Sequence, residues 1–264
     1  MKVLIKGAGD LATGIGWRLK RAGYEVWMTD IEVPTAVRRT VSYSRAVYEG
    51  AAEIEGIRAC LIHNLNEGKR AVLQGEIPVI VDEKAEILEE LKPDVLVDAI
   101  IAKINTGTHI LDAPLVIGVG PGFTAGTDCH KVIETKRGHY LGRVIDKGSA
   151  IPNTGIPGDV GGYTVERIIR ASAEGHFIPK VSIGDYVKAG QIVALCEDVP
   201  VYALISGIVR GILQEGVYVT KGMKAGDIDA RCQIEHCFTI SDKARAIGGG
   251  VLEAVCEWEH LSEI

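Results

Sequence analysis

The densest run of reactive side chains in the sequence is Asp128, Cys129, His130 and Lys131. An imidazole and an ammonium group beside a thiol lower the cysteine pKa and favour the nucleophilic thiolate. A thiolate at Cys129, with Asp128 and His130 as its catalytic neighbours, would carry a sulfur or selenium atom as a persulfide-like group. The alternative is an inert, buried thiol, which is the more common state of a lone cysteine.

This run ends a glycine-rich stretch, GVGPGFTAGTDC at residues 118–129, which follows the apolar segment PLVI. Glycines at the carboxyl end of a parallel strand allow backbone amides to approach a ligand closely. We therefore expect Gly118, Gly120 and Gly122 to hold an anion, with Thr124 and Lys131 beside it.

A second glycine motif, GAGDLA at residues 7–12, follows the apolar strand KVLIK and opens an amphipathic segment. In the dinucleotide-binding pattern, Gly7 permits a tight turn, Gly9 admits a pyrophosphate and Ala12 allows close helix packing. Asp10 lies inside this turn, so its carboxylate must point away from the ligand or pair. Asp30 ends the next strand, where an acid accepts hydrogen bonds from ribose hydroxyls. The alternative is a turn whose glycines serve packing alone.

Cationic side chains near these loops are further candidates for ligand binding. Arg38 and Arg39 follow Asp30 and would clamp a phosphate bidentately, unless they form a solvated basic turn. Asp98, near the end of the strand DVLVDA, and Lys103, just after it, would face the same crevice, where the lysine would neutralise an anionic ligand.

Cysteine and histidine cluster once more, at Cys232, His236 and Cys237. Structural zinc sites use four ligands with at least one well-spaced pair, and this cluster supplies three. We therefore predict no metal site there.

The elements that must position these residues fall into three segments. Residues 1–173 alternate strand and helix patterns and predict an α/β, Rossmann-like parallel sheet with a β-hairpin extension, HKVIET and HYLGRVI around the turn KRG, at residues 130–145. A helix is expected at residues 83–91, before Pro93. Residues 174–232 are short strands separated by glycines and predict a small β barrel-sandwich. Residues 233–264 predict a C-terminal helix with Ser241 as its N-cap, whose three glycines indicate close packing or a break.

Composition limits the functional classes. The chain has 264 residues, 47% of them hydrophobic, and a formal net charge of −6 with scattered basic residues, so we expect no nucleic-acid partner. No apolar run approaches the ~18 residues of a membrane span, and we expect no membrane association. The short apolar N-terminus does not form a signal peptide, and the cysteines lack CxxC spacing, so the expected compartment is the cytoplasm.

Six segments together resemble the YqeB family. They are KGAGDLATGIGWRL, EVPTAVRRTVSYSRAVYEG, VIGVGPGFTAGTDCHKVIETKRGHYLGRVI, NTGIPG, KAGDIDAR and ISDKARAIGGGVLEAV. The resemblance implies an accessory protein of the selenium-dependent molybdenum hydroxylase system, with an expected role similar to that of the XdhC maturation factors. The resemblance indicates a pathway, the preparation of xanthine-dehydrogenase-like enzymes, but does not define the reaction.

The β segment also resembles the biotinyl and lipoyl carrier fold, through GDYVKAGQIV and SGIVRGILQEGVYVTKG. A carrier presents its modified lysine at a tight hairpin midway through the fold. The corresponding stretch here, CEDVPVYALIS, contains no lysine. We therefore predict neither biotin nor lipoate.

Two functions follow as expectations. The first is a maturation protein that holds a phosphate-bearing ligand, a nucleotide or the molybdenum cofactor, and meets an apo molybdenum hydroxylase. The second is an NAD-dependent oxidoreductase with His130 or His139 as acid and base. The sequence leaves open whether the chain is an enzyme, and a homo-oligomer is possible.

Overall fold

The computed structural model describes residues 1–262, and this part of the chain forms two compact units. The first unit comprises Met1–Pro34, Ser42–Thr154 and the C-terminal segment from Ile240, and the second comprises Thr35–Val41 and Gly155–Thr239. These boundaries differ from the expected segments 1–173, 174–232 and 233–264. The C-terminal helix belongs to the first unit because it packs on that unit's first helix.

Within residues 1–262, the first unit contains a mainly parallel sheet of nine strands. Its strands are β1 Lys2–Lys6, β2 Glu25–Asp30, β3 Ala51–Ile54, β4 Ile57–Ile62, β5 Ile77–Val81, β6 Val95–Asp98, β7 Leu115–Val119, β9 Lys131–Ile133 and β10 Val144–Ile145. They lie in the order β10-β9-β7-β6-β1-β2-β5-β4-β3. The pairs β3–β4 and β9–β10 are antiparallel and the others are parallel. The expected parallel sheet and the expected hairpin are both confirmed.

Two short strands, β8 Thr124–Ala125 and β11 Gly148–Ser149, form a separate antiparallel pair. The helices of the unit are α1 Asp10–Arg21, α2 Arg45–Glu49, α3 Leu65–Leu73, α4 Leu88–Leu91 and α5 Asp242–Ser262.

Helix α5 crosses α1 at unusually close range. A Cβ atom on Gly248 would lie 2.7 Å from the Gly14 carbonyl oxygen, and one on Gly14 would lie 2.7 Å from the Ala244 Cβ. Real Cβ atoms do not approach other atoms so closely, so this helix crossing requires glycine at position 14 of α1 and at position 248 of α5. Close packing, rather than a break, explains Gly248 and Gly250, whereas a Cβ atom on Gly249 would meet no atom within 4 Å.

Helix α4 is shorter than the expected helix at residues 83–91. The Asp82 carboxylate accepts hydrogen bonds from the amides of Glu86 and Ile87, and Ala85 adopts a φ of +56°. This side-chain-capped turn takes the place of the first helical turns, because aspartate competes with helical hydrogen bonding. Only Leu88–Leu91 is helical.

The second unit consists of short antiparallel strands. They are β12 Ile168–Arg170, β13 Gly175–Pro179, β14 Tyr186–Val187, β15 Ile192–Cys196, β16 Val199–Tyr202, β17 Gly207–Ile212, β18 Tyr218–Val219 and β19 Lys224–Asp229. In the described part of the chain they form two four-stranded sheets, β12-β19-β17-β14 and β16-β15-β13-β18, around a core that includes Phe177, Val193 and Val209. Short 3-10 helices lie at Arg39–Val41 and Ile234–Cys237. Glu197 and Asp198 form the turn of the β15–β16 hairpin, where a carrier would present lysine.

None of the helices within residues 1–262 has the length and apolar character needed to cross a membrane.

Candidate functional site

The N-terminal glycine loop connects β1 to α1 at the centre of the sheet. Gly7 has a φ of +93°, and its amide donates to the Thr29 carbonyl at 2.9 Å. A Cβ at Gly7 would lie 3.1 Å from the Ala99 carbonyl oxygen, so a larger residue would be both strained and crowded. Ala12 is buried on the α1 face that packs in the core.

Gly9 differs from Gly7 because no steric contact among residues 1–262 requires glycine at this position. It caps α1 with extended backbone angles, φ −64° and ψ −179°, and without a side-chain hydrogen bond. A Cβ there would meet no atom within 4 Å. The space that a Cβ atom of Gly9 would face, at the N-terminus of α1, is therefore open. A dinucleotide-type loop receives its anion at this position. Asp10 is partly buried in the first turn of the same helix.

The loop lies at the topological switch point of the sheet, where the order of strand addition reverses. Along the chain, β2 is added on one side of β1 and β6 on the other. Ligands of open α/β sheets bind outside the carboxyl ends of the strands at such a point.

Asp30 is placed at the carboxyl end of β2, as predicted, but its carboxylate contacts the chain itself. Oδ2 accepts a hydrogen bond from the Ser44 hydroxyl at 2.5 Å, and Oδ1 accepts one from the Ile31 amide at 2.8 Å. Burial raises the pKa of Asp30, although these hydrogen bonds act against the shift. The Ser44 amide also donates to the Ala8 carbonyl at 2.9 Å. Ser44 thus donates a hydrogen bond to the carboxylate that would accept hydrogen bonds from the ribose of a nicotinamide dinucleotide.

A buried polar chain, missed in the sequence, links the ends of β1 and β6. The Lys6 ammonium donates to the Thr108 hydroxyl at 2.7 Å, and that hydroxyl donates to Asp98 Oδ2 at 2.6 Å. Lys6 Nζ and Asp98 Oδ2 are 3.6 Å apart. All three residues are at most 5% exposed. The signal available in the sequence was a lysine that ends an apolar strand directly before Gly7.

The segment that carries Thr108 has unusual backbone angles. Ile101 and Lys103 have φ values of +62° and +68°, and a non-glycine residue in this region costs about 1–3 kcal/mol. Lys103 is exposed. Asn105 accepts hydrogen bonds from the amides of Gly107 and Thr108 and shapes the turn. Strained backbone of this kind concentrates at functional sites, and here it adjoins the N-terminal glycine loop through Ala99.

The glycines of the second glycine-rich stretch are approached by the protein's own atoms. A Cβ at Gly118 would lie 2.4 Å from the Phe123 ring, one at Gly120 would lie 2.8 Å from Thr135 Oγ1, and one at Gly122 would lie 2.8 Å from the Ile104 backbone. The Gly120 amide also donates to the Ile133 carbonyl at 2.9 Å. The positions expected to hold an anion are therefore occupied by internal packing.

Asp128 and Thr124 stabilise a turn. Asp128 Oδ2 accepts a hydrogen bond from the Thr124 amide at 2.7 Å, and the Thr124 hydroxyl lies 3.0 Å from that of Ser149. Asp128 therefore serves the local fold, and its negative charge raises the pKa of the Cys129 thiol, although burial raises it more.

The environment of Cys129 is opposite to that of a reactive thiolate. Cys129 is fully buried among apolar side chains, and burial raises the pKa of its thiol to about 11. His130 Nδ1 accepts a hydrogen bond from the Val116 amide at 2.9 Å, and burial lowers the pKa of this imidazole. A ring nitrogen that accepts an amide hydrogen bond keeps the ring neutral. The expectation of a low-pKa thiolate activated by its neighbours is therefore corrected.

Lys131 is directed to acidic partners. Its ammonium group contacts Asp146 and lies 2.8 Å from Glu257 Oε2. Burial alone would lower the pKa of Lys131, but the hydrogen bonds to these two carboxylates raise it. His139, the other histidine considered for acid–base chemistry, is exposed and packs edge-on against Tyr140.

Arg38 and Arg39 lie in the second unit and bind that unit's backbone. Arg38 Nη2 donates to the carbonyls of His236 at 2.9 Å and Thr239 at 3.1 Å. Arg39 Nε donates to the Ile212 carbonyl at 2.8 Å. These contacts attach the segment Thr35–Val41 to the β sheets of its unit.

Cys232 is exposed, whereas Cys237 is buried and donates to the Val209 carbonyl at 3.7 Å. Among the residues that the structure describes, no group of three or more histidine, cysteine, aspartate or glutamate side chains is arranged to hold a metal ion.

The chain is homologous to the Escherichia coli protein named "Uncharacterized protein YqeB", with 48% identity over 258 residues. The match covers 98% of this chain and 48% of that protein, so the chain spans about half the length of the curated relative it matches. No protein-family model matches the chain.

Solved structures give only weak similarity. An aspartoacylase family protein from Mesorhizobium loti aligns with 12% identity and a TM-score of 0.27. A succinylglutamate desuccinylase/aspartoacylase from Rhodobacter sphaeroides aligns with 16% identity and a TM-score of 0.26. Each alignment covers 86% of this chain and 84% of the other. Similarity at this level supports no statement about activity.

Proposed function

We propose that this protein is an accessory factor for the maturation of molybdenum hydroxylases and that it holds a phosphate-bearing ligand at the N-terminal glycine loop. The observation that carries the ligand site is the open space in front of Gly9, at the N-terminus of a 12-residue helix. Amides at a helix N-terminus and the helix dipole both favour an anion.

The residues around the loop fit a phosphate group. Gly9 is the position where an added side chain would fill the anion's place while disturbing no protein atom. Lys6 lies one residue before Gly7 and brings a positive charge to the same end of β1, where Asp98 and Thr108 hold it. Ligand candidates are a nucleotide and the nucleotide form of the molybdenum cofactor, both of which present phosphoryl oxygens.

The pathway rests on the sequence resemblance to the YqeB family, and the partner that it implies is an apo molybdenum hydroxylase. We place the sheet unit among Rossmann-like folds and the β unit among barrel-sandwich folds without a prosthetic arm. The ribose hydroxyls of any nucleotide bound in the dinucleotide orientation, NAD included, would have to compete with the hydrogen bond from Ser44 to Asp30.

Ligand analysis of protein purified from its native host tests this proposal. Small molecules released by denaturation would be identified by mass spectrometry. A phosphorylated pterin, or a nucleotide other than a nicotinamide dinucleotide, is the expected result. A nicotinamide dinucleotide or the absence of any phosphate compound would contradict the proposal.

A cellular assay tests the pathway separately. Cells that lack this protein should lose molybdenum hydroxylase activity while retaining the hydroxylase polypeptide. The activity should return with the wild-type chain. Unchanged hydroxylase activity in its absence would exclude the maturation role.

A further inference from the structure

Arg210, on β17 of the second unit, is a buried cation with few partners. Its side chain is 8% exposed. Its one hydrogen bond runs from Nε to the His236 carbonyl at a long 3.4 Å. Neither Nη nitrogen hydrogen-bonds to any group within residues 1–262.

The carboxylates near Arg210 are engaged elsewhere. Asp227 lies 3.9 Å from Arg210 Nη1 but makes its hydrogen bond with Arg167. Asp229 Oδ2 lies 4.0 Å from Arg210 Nε. Both carboxylate oxygens of Asp229 accept hydrogen bonds from Arg231 instead, Oδ2 from Nη2 at 2.6 Å and Oδ1 from Nε at 2.9 Å. Arg210 therefore has ion-pair neighbours at a distance and no carboxylate in direct contact.

Two other groups converge on the same place. Arg38 Nη2 donates to the His236 carbonyl oxygen that Arg210 also contacts, so the two guanidinium groups meet at one atom. His236 Nδ1 is buried without a hydrogen bond in the described chain, 3.7 Å from Asp229 Oδ2. Burial lowers the pKa of Arg210, as do Arg38 and Arg231, while Asp227 and Asp229 raise it. The surroundings thus disfavour the positive charge of Arg210 overall.

We propose that Arg210, Arg38 and His236 form a binding site for a tetrahedral oxyanion, of the phosphate or sulfate class. Guanidinium groups match such oxygens in geometry and charge. A water molecule would satisfy the Nη donors but would add no negative charge, whereas an oxyanion supplies both. Asp229 repels an anion, and its pairing with Arg231 reduces that repulsion. The anion is a free oxyanion or the phosphoryl group of a small ester, and the same three residues would bind either.

Thermal unfolding of the full chain tests the site. Inorganic phosphate, sulfate and AMP are added separately at constant ionic strength, with chloride as the reference. We expect a saturable rise in Tm of at least about 3 °C for the wild type. Arg210→Met should lose this rise, and in chloride it should melt at or above the wild-type temperature, because it removes the repulsion with Arg38. His236→Asn should weaken the apparent affinity about tenfold.

Matched variants separate this site from other effects. Arg170→Met removes an exposed arginine of the same unit and should retain the full response. Gly9→Val removes any response that comes from the proposed nucleotide site in the first unit, and the response that persists in this variant should depend on Arg210. A response to phosphate and sulfate identifies a free oxyanion, and a response to AMP alone identifies a phosphoryl ester. No response in the wild type, or an equal response in Arg210→Met, would overturn the proposal.

Discussion

The two glycine-rich loops of the sheet unit lie at the carboxyl ends of β1 and β7, on either side of β6, yet their glycines have different surroundings. At residues 118–122 the space of each absent side chain is occupied by Phe123, Thr135 or the Ile104 backbone. At Gly9 the corresponding space is open and the backbone angles suit any residue. A high density of glycine is therefore a weak sign of a ligand, because internal packing accounts for Gly118, Gly120 and Gly122.

Gly122→Ala should show the largest effect and would test the packed loop. The new Cβ would lie 2.8 Å from the Ile104 backbone at a φ of +113°. Strain and overpacking together should lower the free energy of unfolding by about 3 kcal/mol or more, measured by urea denaturation. Gly126→Ala is the control, since its φ is +86° but no atom lies within 4 Å, and it should cost only about 1 kcal/mol. Equal losses would show that packing does not distinguish the two positions.

Cys129 should resist alkylation in the native protein. Its thiol has a pKa raised to about 11 by burial, so at pH 8 only about one molecule in a thousand carries the thiolate. The exposed thiols Cys232 and Cys256 serve as internal controls. Peptide mapping after iodoacetamide treatment should show labelling at least about 100-fold slower at Cys129 than at these two. Comparable rates would restore the reactive-thiolate hypothesis.

Thr108→Val tests the polar chain below the open loop. It removes the hydroxyl that joins Lys6 to Asp98 and leaves both charges buried. The free energy of unfolding should fall by about 1–3 kcal/mol. Thr106→Val, on the exposed side of the same turn, should change it by no more than about 0.5 kcal/mol. If both variants are equally stable, the Lys6–Asp98 interaction does not depend on Thr108.

Asp30→Asn should give the smallest effect and depends on pH. Because the folded-state pKa of Asp30 is raised above its ordinary 3.8, the folded protein binds the proton more tightly, and stability is lost as the pH rises through this window. Asparagine does not titrate. The stability of the variant relative to the wild type should therefore increase between pH 3 and pH 7, whatever the offset from its altered hydrogen bonds. A flat difference would show that Asp30 is not perturbed by burial.

Much of the fold follows from local pattern in the sequence. The apolar runs of β1, β2, β6 and β7 predict a parallel sheet because strands buried on both faces lack polar alternation. The glycines of α5 predict close packing because they would otherwise cost helix stability. The predicted helix at residues 83–91 is longer than α4, because the hydrogen bonds that Asp82 accepts from the amides of Glu86 and Ile87 replace helical hydrogen bonds. The periodicity of the sequence does not reveal such a turn.

The candidate site was less predictable because it depends on contacts between distant residues. Residues 128–131 are adjacent in sequence, but Cys129 lies in the core before β9 begins, whereas Lys131, the first residue of β9, contacts Glu257. Lys6 and Thr108 are 102 positions apart and meet only through the pairing of β1 with β6. Arg38 follows Asp30 closely in sequence, yet it belongs to the other unit.

Ligand occupancy of Gly9→Val tests the central claim most directly. Wild type, Gly9→Val and the control Gly249→Ala, whose Cβ also meets no atom within 4 Å, would be purified from the native host under identical conditions. The phosphate-bearing ligand released per protein chain would then be quantified by mass spectrometry, with circular dichroism confirming the fold. We expect wild type and Gly249→Ala to carry equal amounts and Gly9→Val to carry at least about tenfold less, because the valine side chain fills the anion's place. Equal occupancy in Gly9→Val and wild type would show that the ligand binds elsewhere.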